Sequence, residues 1–404
     1  MSKSILIATF SVWNRNRRTA ISGMIEPLLS YFLPKNYDID LIDGLHPGSS
    51  DVLTKIEQYR NKKLIKKTIS YTSKILHPLL NSFNTNATQI IFKIRDFFSV
   101  LEWGIRSRKK YDIFIGMESI YTIAGIVLRK IGITRYVIYY VSDYSPKRYS
   151  QNWFNTIYVF LDKFCAKHSE YIWDVSPAMQ KGRKQAGLEQ DKSAPVIIVP
   201  NALFPSQIFH CPINEQIPHS LVFAGTLGLE NGSDIAIKAV AKLVKKYPDI
   251  SLHVFGGNEQ GKETFLKKMA EDLKIKDHIF FHGFVNNAEE LSRKINRYMI
   301  GLAPYKVQEN SVRAFGDATK LRLYMGAGIP AITTSVPPLG KEIAEKGAAL
   351  IAKDNETEFA KSIIKLFDKK TYFSMRDKAI QFGKNNTWEN TYTTALNEMK
   401  LTGA

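Results

Sequence analysis

The chain has 404 residues, of which 44% are hydrophobic and 23% are charged, and it carries a net charge of +18. This composition is typical of a water-soluble globular protein, and the length favours two domains. Its two cysteines, Cys165 and Cys211, exclude a disulfide framework and a four-cysteine metal site, which favours a reducing, cytoplasmic location.

The positive charge is concentrated in the first half. Residues 1–200 contain 29 Lys and Arg against 16 Asp and Glu, whereas the rest contains 27 against 22. An anionic partner is therefore expected for the first half, with nucleic acid, anionic lipid and a phosphorylated substrate all open. No apolar run approaches the roughly 20 residues of a membrane span, and residues 13–18 do not resemble a signal-peptide cleavage site. We expect a soluble protein, or at most one attached to a membrane surface.

Short apolar strands alternate with helices through the first half, which indicates an α/β protein with a parallel sheet. We predict strands at 4–10, 37–42, 111–116, 136–141, 171–175 and 196–199, and helices at 21–32, 120–131, 153–166 and 176–185. A polar loop at 11–18 follows the first strand, where open α/β sheets place their ligands. Five basic residues are candidates for holding a phosphorylated or lipid-linked acceptor, the alternative being solvated loops: Arg15, Arg17, Arg18, Lys147 and Arg148.

Residues 51–110 are less regular, and here lysines and arginines are interleaved with bulky apolar residues. Such a pattern suits a helix lying on an anionic membrane surface. It equally suits two amphipathic helices packed on the sheet with their lysines in water.

The second half repeats the strand–helix alternation after a proline-rich joint at 203–217. We predict strands at 221–225, 252–255, 279–282, 299–303, 331–334 and 349–352. Helices are predicted from Ser233, at 320–327 and 356–367, and through 371–401 with a break near 384–386.

The stretch 317–334 organises this half. Asp317 and Thr319 are expected to cap a helix, Gly328 to close it in the left-handed conformation, and Pro330 to forbid its continuation. Lys320 would then lie beside free N–H groups in the first turn, which predicts a phosphate site. The alternative is an ordinary strand–helix–strand unit whose lysine points into water.

Glycines recur at successive strand ends of the second half, where backbone can approach a nucleotide closely. Zinc spacing, a Ser/His/Asp signature, a P-loop and a dinucleotide fingerprint are all missing from the sequence. The strand-end motifs occur in this order: 223–227 (FAGTL), 253–257 (HVFGG), 281–284 (FHGF), 301–305 (GLAPY), 319–321 (TKL) and 328–330 (GIP).

This ordered set resembles the donor-binding half of GT-B glycosyltransferases, and is most similar to the family 4-like group of bacterial surface-polysaccharide enzymes. The resemblance implies two Rossmann-like domains facing an interdomain cleft. Residues 1–203 would form the acceptor domain and 204–385 the nucleotide-sugar domain, while 386–404 would form a helix crossing back to the first.

The implied activity is transfer of a sugar from a nucleotide-sugar to a saccharide or lipid-linked acceptor, without metal or another cofactor. Lys320 would contact the donor diphosphate and stabilise the charge that grows on it. Gly225 and Thr226 would line the phosphate loop, and Gly283, Phe284 and Tyr305 the nucleoside side. Four further residues complete the expected donor site: Asn231, Gly256, Arg313 and Tyr324.

The sequence departs from the family pattern at four positions. Thr226 and Asn231 stand where the family often has an arginine and a lysine. Its two glutamates would fall on Phe315 and Leu323, and the later one usually holds a ribose, which Leu323 cannot do. We expect Arg313 or Arg322 to supply the missing positive charge.

Asp143, at the end of the 136–141 strand, is the best candidate for a general base that accepts the proton of the acceptor hydroxyl. The alternative is a turn residue before Pro146. We therefore predict a glycosyltransferase, cytoplasmic and resting on the inner face of a membrane. The rivals are a nucleotide-sugar epimerase of the same fold and, from another class, a basic nucleic-acid-binding protein, which is disfavoured because no nucleic-acid motif occurs.

Overall fold

The computed structural model describes residues 3–14, 17–46, 49–82, 86–257, 261–308 and 311–399. The chain divides into two compact units. The first comprises Met1–Val199 with Tyr392–Ala404, and the second comprises Pro200–Thr391. Each unit has its own sheet and its own hydrophobic core.

The first unit is built on one large sheet with helices packed against it. Its strands are β1 (Ser4–Asn14), β2 (Arg17–Ser22), β3 (Asp38–Leu45), β4 (Lys55–Arg60), β5 (Lys63–Ile69), β6 (Tyr111–Met117), β7 (Thr134–Val141), β8 (Tyr171–Asp174) and β9 (Val196–Ile198). Its helices are α1 (Ile25–Phe32), α2 (Tyr71–Ser82), α3 (Asn86–Arg106), α4 (Glu118–Lys130), α5 (Asn152–His168) and α6 (Ala178–Gln185).

The strand order in this sheet is β5-β4-β3-β1-β6-β7-β8-β9, with β2 paired to β1. From β3 to β9 the neighbours run parallel, as predicted from the strand–helix alternation. The chain leaves β1 for β3 on one side and later returns to β6 on the other. This reversal makes the carboxyl ends of β1 and β6 a topological switch point, where open α/β sheets bind ligands.

Two β-hairpins occupy places where we predicted other structures. The expected loop at 11–18 and the start of the expected helix at 21–32 are wrong, because β1 continues to Asn14 and pairs antiparallel with β2. The lysine-rich segment Lys63–Ile69 is an exposed edge strand paired with β4, rather than a helix. Lysines on an edge strand oppose pairing with another chain, which gives this pattern a structural reason. The helical prediction holds only for the later part, α2 and α3.

The second unit contains a parallel sheet of order β12-β11-β10-β13-β14-β15. The elements are β10 (Ser220–Ala224), α7 (Ser233–Leu243), β11 (Ser251–Phe255), α8 (Lys262–Asp272), β12 (Ile279–Gly283), α9 (Ala288–Ile295), β13 (Ile300–Ala303), α10 (Val312–Phe315), α11 (Thr319–Gly326), β14 (Ala331–Thr333), α12 (Pro338–Glu345), β15 (Ala349–Ile351), α13 (Glu356–Leu366), α14 (Lys369–Asn385) and α15 (Trp388–Glu398). The sequence reading missed α8, α9 and α12.

Alternate residues of the central strand β10 serve the two faces of this sheet. Leu221 and Phe223 pack in one hydrophobic cluster, whereas Val222 and Ala224 pack in another. This alternation follows from the two-residue repeat of a strand. Because helices cover both faces, the strand reads as one continuous apolar run.

The helix α11 stops as predicted but starts differently. Gly328 has a φ of 67°, so the left-handed closure is confirmed. The expected caps are wrong, because no side chain caps the first turn of α11. Asp317 instead accepts hydrogen bonds from the guanidinium of Arg322 and from the backbone N–H of Asn201.

None of the helices in the described part of the chain has the length and apolar character needed to cross a membrane.

Candidate active site

The switch point of the second sheet lies between β10 and β13, and the glycine loops gather at its carboxyl edge. The N–H of Gly225 donates to the carbonyl of Phe255 (2.8 Å), and the N–H of Gly256 donates to the carbonyl of Gly283 (2.9 Å). These bonds join the ends of β10, β11 and β12 into one polar edge. Gly225 has a φ of 132°, and a Cβ there would lie 3.2 Å from Cε of Lys320. The positive φ favours glycine here, and a side chain at this position would also crowd the lysine.

Lys320 is the most unusual charged residue of this edge. Its side chain comes from the first turn of α11 and is 8% exposed. Its Nζ has no hydrogen-bond partner among the described residues, and lies 3.9 Å from the ring centre of Phe223 and 5.0 Å from that of Tyr305. Burial and, to a smaller extent, the charge of Arg313 lower the pKa of Lys320 to about 7, against the opposing attraction of Glu230. An anion bound here would supply the missing partner.

Asn231 and Arg313 form a hydrogen-bonded support for the loop after β10. The amide of Asn231 donates to the carbonyl and hydroxyl oxygens of Thr226 (3.1 and 3.2 Å). Its Oδ1 accepts from Nε of Arg313 (2.9 Å), and the Arg313 guanidinium also pairs with Glu230 (3.4 Å). Asn231 is buried, so it holds the loop from beneath, whereas Arg313 remains partly exposed.

The predicted nucleoside side contains one exposed ring and one buried ring. Gly283 has a φ of 71°, and Phe284 after it is half exposed. Gly257 lies against Phe284, so the ends of β11 and β12 meet here. Tyr305 is buried, and its carbonyl accepts a hydrogen bond from the hydroxyl of Thr334. Phe284 therefore offers an aromatic face for stacking, whereas Tyr305 forms a wall beside Lys320.

The prediction that Tyr324 contacts a donor is corrected by its placement. The side chain is fully buried, and its hydroxyl accepts from the N–H of Ala224 and faces the carbonyls of Val222 and Leu302. Tyr324 thus ties β10 to β13 at the switch point. Its hydroxyl is already engaged and does not point to a ligand.

Of the two arginines expected to replace the family charges, the structure places only Arg313 beside Lys320. Arg322 is buried, and its guanidinium is held by Asp317 at 2.7 and 3.0 Å. Leu323 and Phe315, at the positions of the family glutamates, are both buried apolar residues. The compensation assigned to Arg322 is therefore wrong.

In the first unit, Asp143 lies just beyond the end of β7. The residue is exposed, and its carbonyl accepts a hydrogen bond from Nη1 of Arg148 (2.9 Å). Arg148 is half-buried, which by itself lowers its pKa, but the combined attraction of Glu118, Tyr158 and Asp143 outweighs burial and raises it. Lys147 is exposed, and its backbone N–H donates to Ser145. Asp143 and Arg148 are therefore neighbours, as an acceptor site would require.

Of the three arginines expected in the first loop, the structure describes the side chain of Arg18. Arg15 lies outside the described residues, and Arg17 is part of β2. Arg18 makes salt bridges to Asp43 (3.1 Å) and Glu57 (3.3 Å). Its guanidinium is consequently neutralised inside the first sheet, and the prediction that it holds an acceptor is corrected.

The sequence reading overlooked Glu118. It follows β6 at the switch point of the first sheet and has a φ of 63°, the left-handed region that a non-glycine residue rarely adopts. Its carboxylate lies 3.6 Å from Nζ of Lys93 and borders a cavity of about 410 Å³ that Asp143 and Arg148 also line. Its place directly after a buried strand is the sequence signal that could have revealed it.

Across the described ranges, no group of three or more His, Cys, Asp or Glu side chains is placed to hold a metal ion.

Comparison with known proteins identifies the second unit most directly. Residues 214–386 match the family described as "Glycosyl transferases group 1". Over 269 residues the chain is 23% identical to "O-antigen biosynthesis glycosyltransferase WbnH" of Escherichia coli. The aligned region covers 65% of this chain and 69% of that relative.

Solved structures extend the similarity to both units. Sucrose-phosphate synthase (tll1590) from Thermosynechococcus elongatus matches 98% of both chains with a TM-score of 0.70 at 10% identity. Anabaena Alr3699/HepE, solved in complex with UDP, matches 98% of this chain and 100% of its own with a TM-score of 0.66 at 13% identity. With two parallel-sheet units, a group 1 sequence match and these neighbours, the chain is a glycosyltransferase of the GT-B fold.

Proposed function

We propose that this enzyme transfers a sugar from a nucleoside-diphosphate sugar to a saccharide or lipid-linked acceptor in the synthesis of a cell-surface polysaccharide. The observation that carries the proposal is the buried Nζ of Lys320, unpartnered in the described structure, at the switch point of the second sheet. An unpaired buried cation is costly, so a site of this kind is built for an anionic ligand. The E. coli relative is named as an O-antigen biosynthesis glycosyltransferase and the Anabaena neighbour was solved with UDP, and both support the class of reaction.

The donor diphosphate would lie against the Gly225 loop, the N–H groups at the start of α11 and Lys320. As the bond from the sugar to the diphosphate breaks, negative charge grows on the leaving group. Lys320 and Arg313 would stabilise that charge without a metal ion, and Arg313 would replace the cations that the family keeps in the loop. Gly283 and Phe284 would hold the nucleoside.

In the first unit, Asp143 would accept the proton of the attacking acceptor hydroxyl. Arg148 and Lys147 would attract a phosphate of the acceptor. We further propose a cytoplasmic enzyme attached to the inner face of a membrane. Exposed Leu64, Ile65 and Ile75 among the lysines of β5 and α2 support the attachment, because apolar and basic groups together favour an anionic lipid surface.

Thermal unfolding with a panel of nucleoside diphosphates tests the donor site. A ligand that binds the native protein at 100 times its Kd adds about 2.7 kcal/mol of stability and raises the Tm. We expect one nucleobase to give the largest shift, and the shift to persist in EDTA. Absence of any shift would refute the donor site, and a shift abolished by EDTA would refute metal independence.

Product analysis separates transfer from the rival activities. We expect a sugar-extended acceptor in stoichiometric amounts with the released nucleoside diphosphate. Release of the nucleoside diphosphate with a free or epimerised sugar would favour the epimerase. Salt-sensitive binding of duplex or single-stranded nucleic acid without nucleotide-sugar affinity would favour the nucleic-acid-binding protein.

A further inference from the structure

The first unit contains a cavity of about 410 Å³ between α3 and α5, within the usual range of small-molecule sites (~300–1,000 Å³). Helix α3 contributes Ile94, Phe97 and Phe98 to its wall, and helix α5 contributes Phe154 and Ile157. These five side chains offer no hydrogen-bond partner to a sugar ring, and apolar surface predominates in the lining. The cavity is therefore shaped for hydrocarbon and not for the saccharide itself.

The four charged residues that line the cavity form one connected group. Lys93 lies 3.6 Å from Glu118, and Arg148 donates to the carbonyl of Asp143. The attraction between Glu118 and Arg148 links these two pairs. A ligand that fits this arrangement has an apolar chain and a polar head.

Several apolar residues of the cavity wall are exposed to water, and a bound ligand would cover them. Trp153 is 59% exposed, and Ile94, Phe98 and Ile157 are close to half exposed. Four large apolar residues around one opening exceed the scattered exposure that is ordinary for a surface. The surplus of basic over acidic residues in the first half favours a negatively charged head on the ligand that covers them.

We propose that this cavity binds the hydrocarbon chain of a lipid-linked acceptor, whose polar head lies at Asp143, Glu118 and Arg148. The proposal rests on the proposed function, because the acceptor hydroxyl would thereby be anchored beside the candidate base. The hydrocarbon chain in the cavity would be part of the acceptor molecule itself, and not a chain of a lipid in the surrounding membrane. Glu118, held in a rare backbone conformation at the rim, would position the head group.

Binding of butyl phosphate and octyl phosphate to the full-length enzyme, both as monomers, tests the chain site. Each buried methylene is expected to tighten binding about fourfold, so octyl phosphate, with four more methylenes, should bind about 200-fold more tightly than butyl phosphate. The fluorescence of Trp153, which lines the cavity, is expected to change on binding. Equal affinity for the two probes would overturn the proposal.

Paired variants on the same helices localise the effect. Ile94→Glu and Ile157→Glu place a charge in the cavity wall and should remove the preference for octyl phosphate. Ile105→Glu and Phe160→Glu change comparably exposed apolar residues that do not line the cavity, and should preserve the preference. All four should unfold at temperatures close to that of the parent, since each site is substantially exposed.

Two further measurements separate this proposal from its neighbours. The first is binding to anionic phospholipid vesicles. If Ile94→Glu and Ile105→Glu weaken vesicle binding equally, and the parent binds butyl and octyl phosphate with equal affinity, the apolar residues form a membrane-contact face and the cavity proposal is overturned. The second is binding of nucleoside diphosphates. If the enzyme binds them but has equal affinity for butyl and octyl phosphate, only the cavity proposal is overturned. Chain-length dependence without nucleoside-diphosphate binding would overturn the proposed function and the acceptor assignment with it.

Discussion

The ammonium of Lys320 lies 3.9 Å from the centre of the Phe223 ring, and it has no hydrogen-bond partner in the described structure. Phe223 is fully buried on β10, so the lysine points into the apolar base of the switch point. A cation over a ring recovers about 2 kcal/mol when desolvated, which is less than a buried unpaired charge costs. Binding of an anion beside Lys320 is therefore expected to be favourable, because it would stabilise the charged form of the lysine.

Replacing Lys320 should separate stability from activity. Lys320→Met removes a buried charge and should raise the Tm or leave it unchanged. It should weaken binding of the preferred nucleoside diphosphate by about 10–100-fold, because charge-assisted hydrogen bonds contribute about 1.5–3 kcal/mol. Turnover should fall further, since charge grows on the leaving group.

Calorimetric titration and steady-state kinetics check the Lys320 prediction. Lys346→Met is the matched control, because Lys346 is an exposed lysine of the same unit paired with Glu342. Unchanged binding and turnover in Lys320→Met would show that the lysine is only structural.

Proton uptake should accompany donor binding. The pKa of Lys320 is about 7, lowered by burial from 10.5, so the free enzyme holds it largely uncharged at pH 8.5. A bound diphosphate favours the charged form, so close to one proton should be taken up and affinity should fall as the pH rises above 7. Between pH 7 and 10.5 the unfolded chain binds more protons at this residue, so its contribution to folding stability should rise with pH.

Titrations in buffers of different ionisation enthalpy measure this uptake directly. Lys320→Met should lose it, which assigns the proton to this residue. Equal apparent enthalpies in all buffers at pH 8.5 would contradict the prediction.

Arg313 should act on the same ligand from the other side of the loop. Arg313→Ala removes a cation and the bond to Asn231, so donor binding should weaken about tenfold or more. Arg313→Lys keeps the charge but loses the two-sided hydrogen bonding, and should recover only part of the affinity. Arg293→Ala, an exposed arginine paired with Glu289, is the control. Equal loss in Arg293→Ala would point to a long-range charge effect instead.

The strand–helix alternation was sufficient to predict the central strands and the α/β class. It failed at β2 and β5, because a hairpin depends on pairing with a partner strand that periodicity does not identify. The alternation of lysines with apolar residues in 63–69 predicts an amphipathic helix, but the segment forms a strand because it pairs with β4 at the edge of the sheet. The position of Asp317 predicted that it caps α11, but its carboxylate instead accepts a hydrogen bond from the guanidinium of Arg322.

The glycine-bearing edge of the second sheet was predictable because glycines at strand ends are local signals, and the place of Lys320 follows from the start of a helix. The side-chain roles were less accessible. Tyr324 faces the strands and not the ligand, and Arg18 is taken by Asp43, which only the packed structure reveals. Glu118 was predictable from its place directly after a buried strand, whereas its left-handed backbone conformation has no sequence signature.

Asp143→Asn should abolish sugar transfer while donor binding stays near normal, because an amide cannot accept the hydroxyl proton. The expected loss is about 10²–10⁴-fold in kcat. Glu118→Gln should mainly raise the KM for the acceptor, since it borders the head-group end of the cavity. Asp191→Asn, at an exposed residue of the first unit, should change neither parameter. A loss of kcat in Glu118→Gln with activity retained in Asp143→Asn would transfer the base role to Glu118.

Arg183 should be a principal source of stability in the first unit. It is buried between Asp162 (3.0 Å) and Asp174 (2.6 Å), and so joins α5, β8 and α6. Arg183→Leu leaves two buried carboxylates without their cation, which should lower the free energy of unfolding by about 3–5 kcal/mol. Urea unfolding of the full chain at pH 7 measures this loss.

The same variant provides its own test of the cause. Burial raises the pKa of Asp174, and Arg183 opposes that rise, so the variant should raise it further. Protonation then relieves the unpaired charge, and the gap between variant and parent should narrow as the pH falls towards 5. Adding Asp162→Asn and Asp174→Asn to Arg183→Leu should recover part of the loss at pH 7, since no buried charge remains. A loss of stability independent of pH and not recovered by these changes would instead assign it to the packing of the arginine side chain.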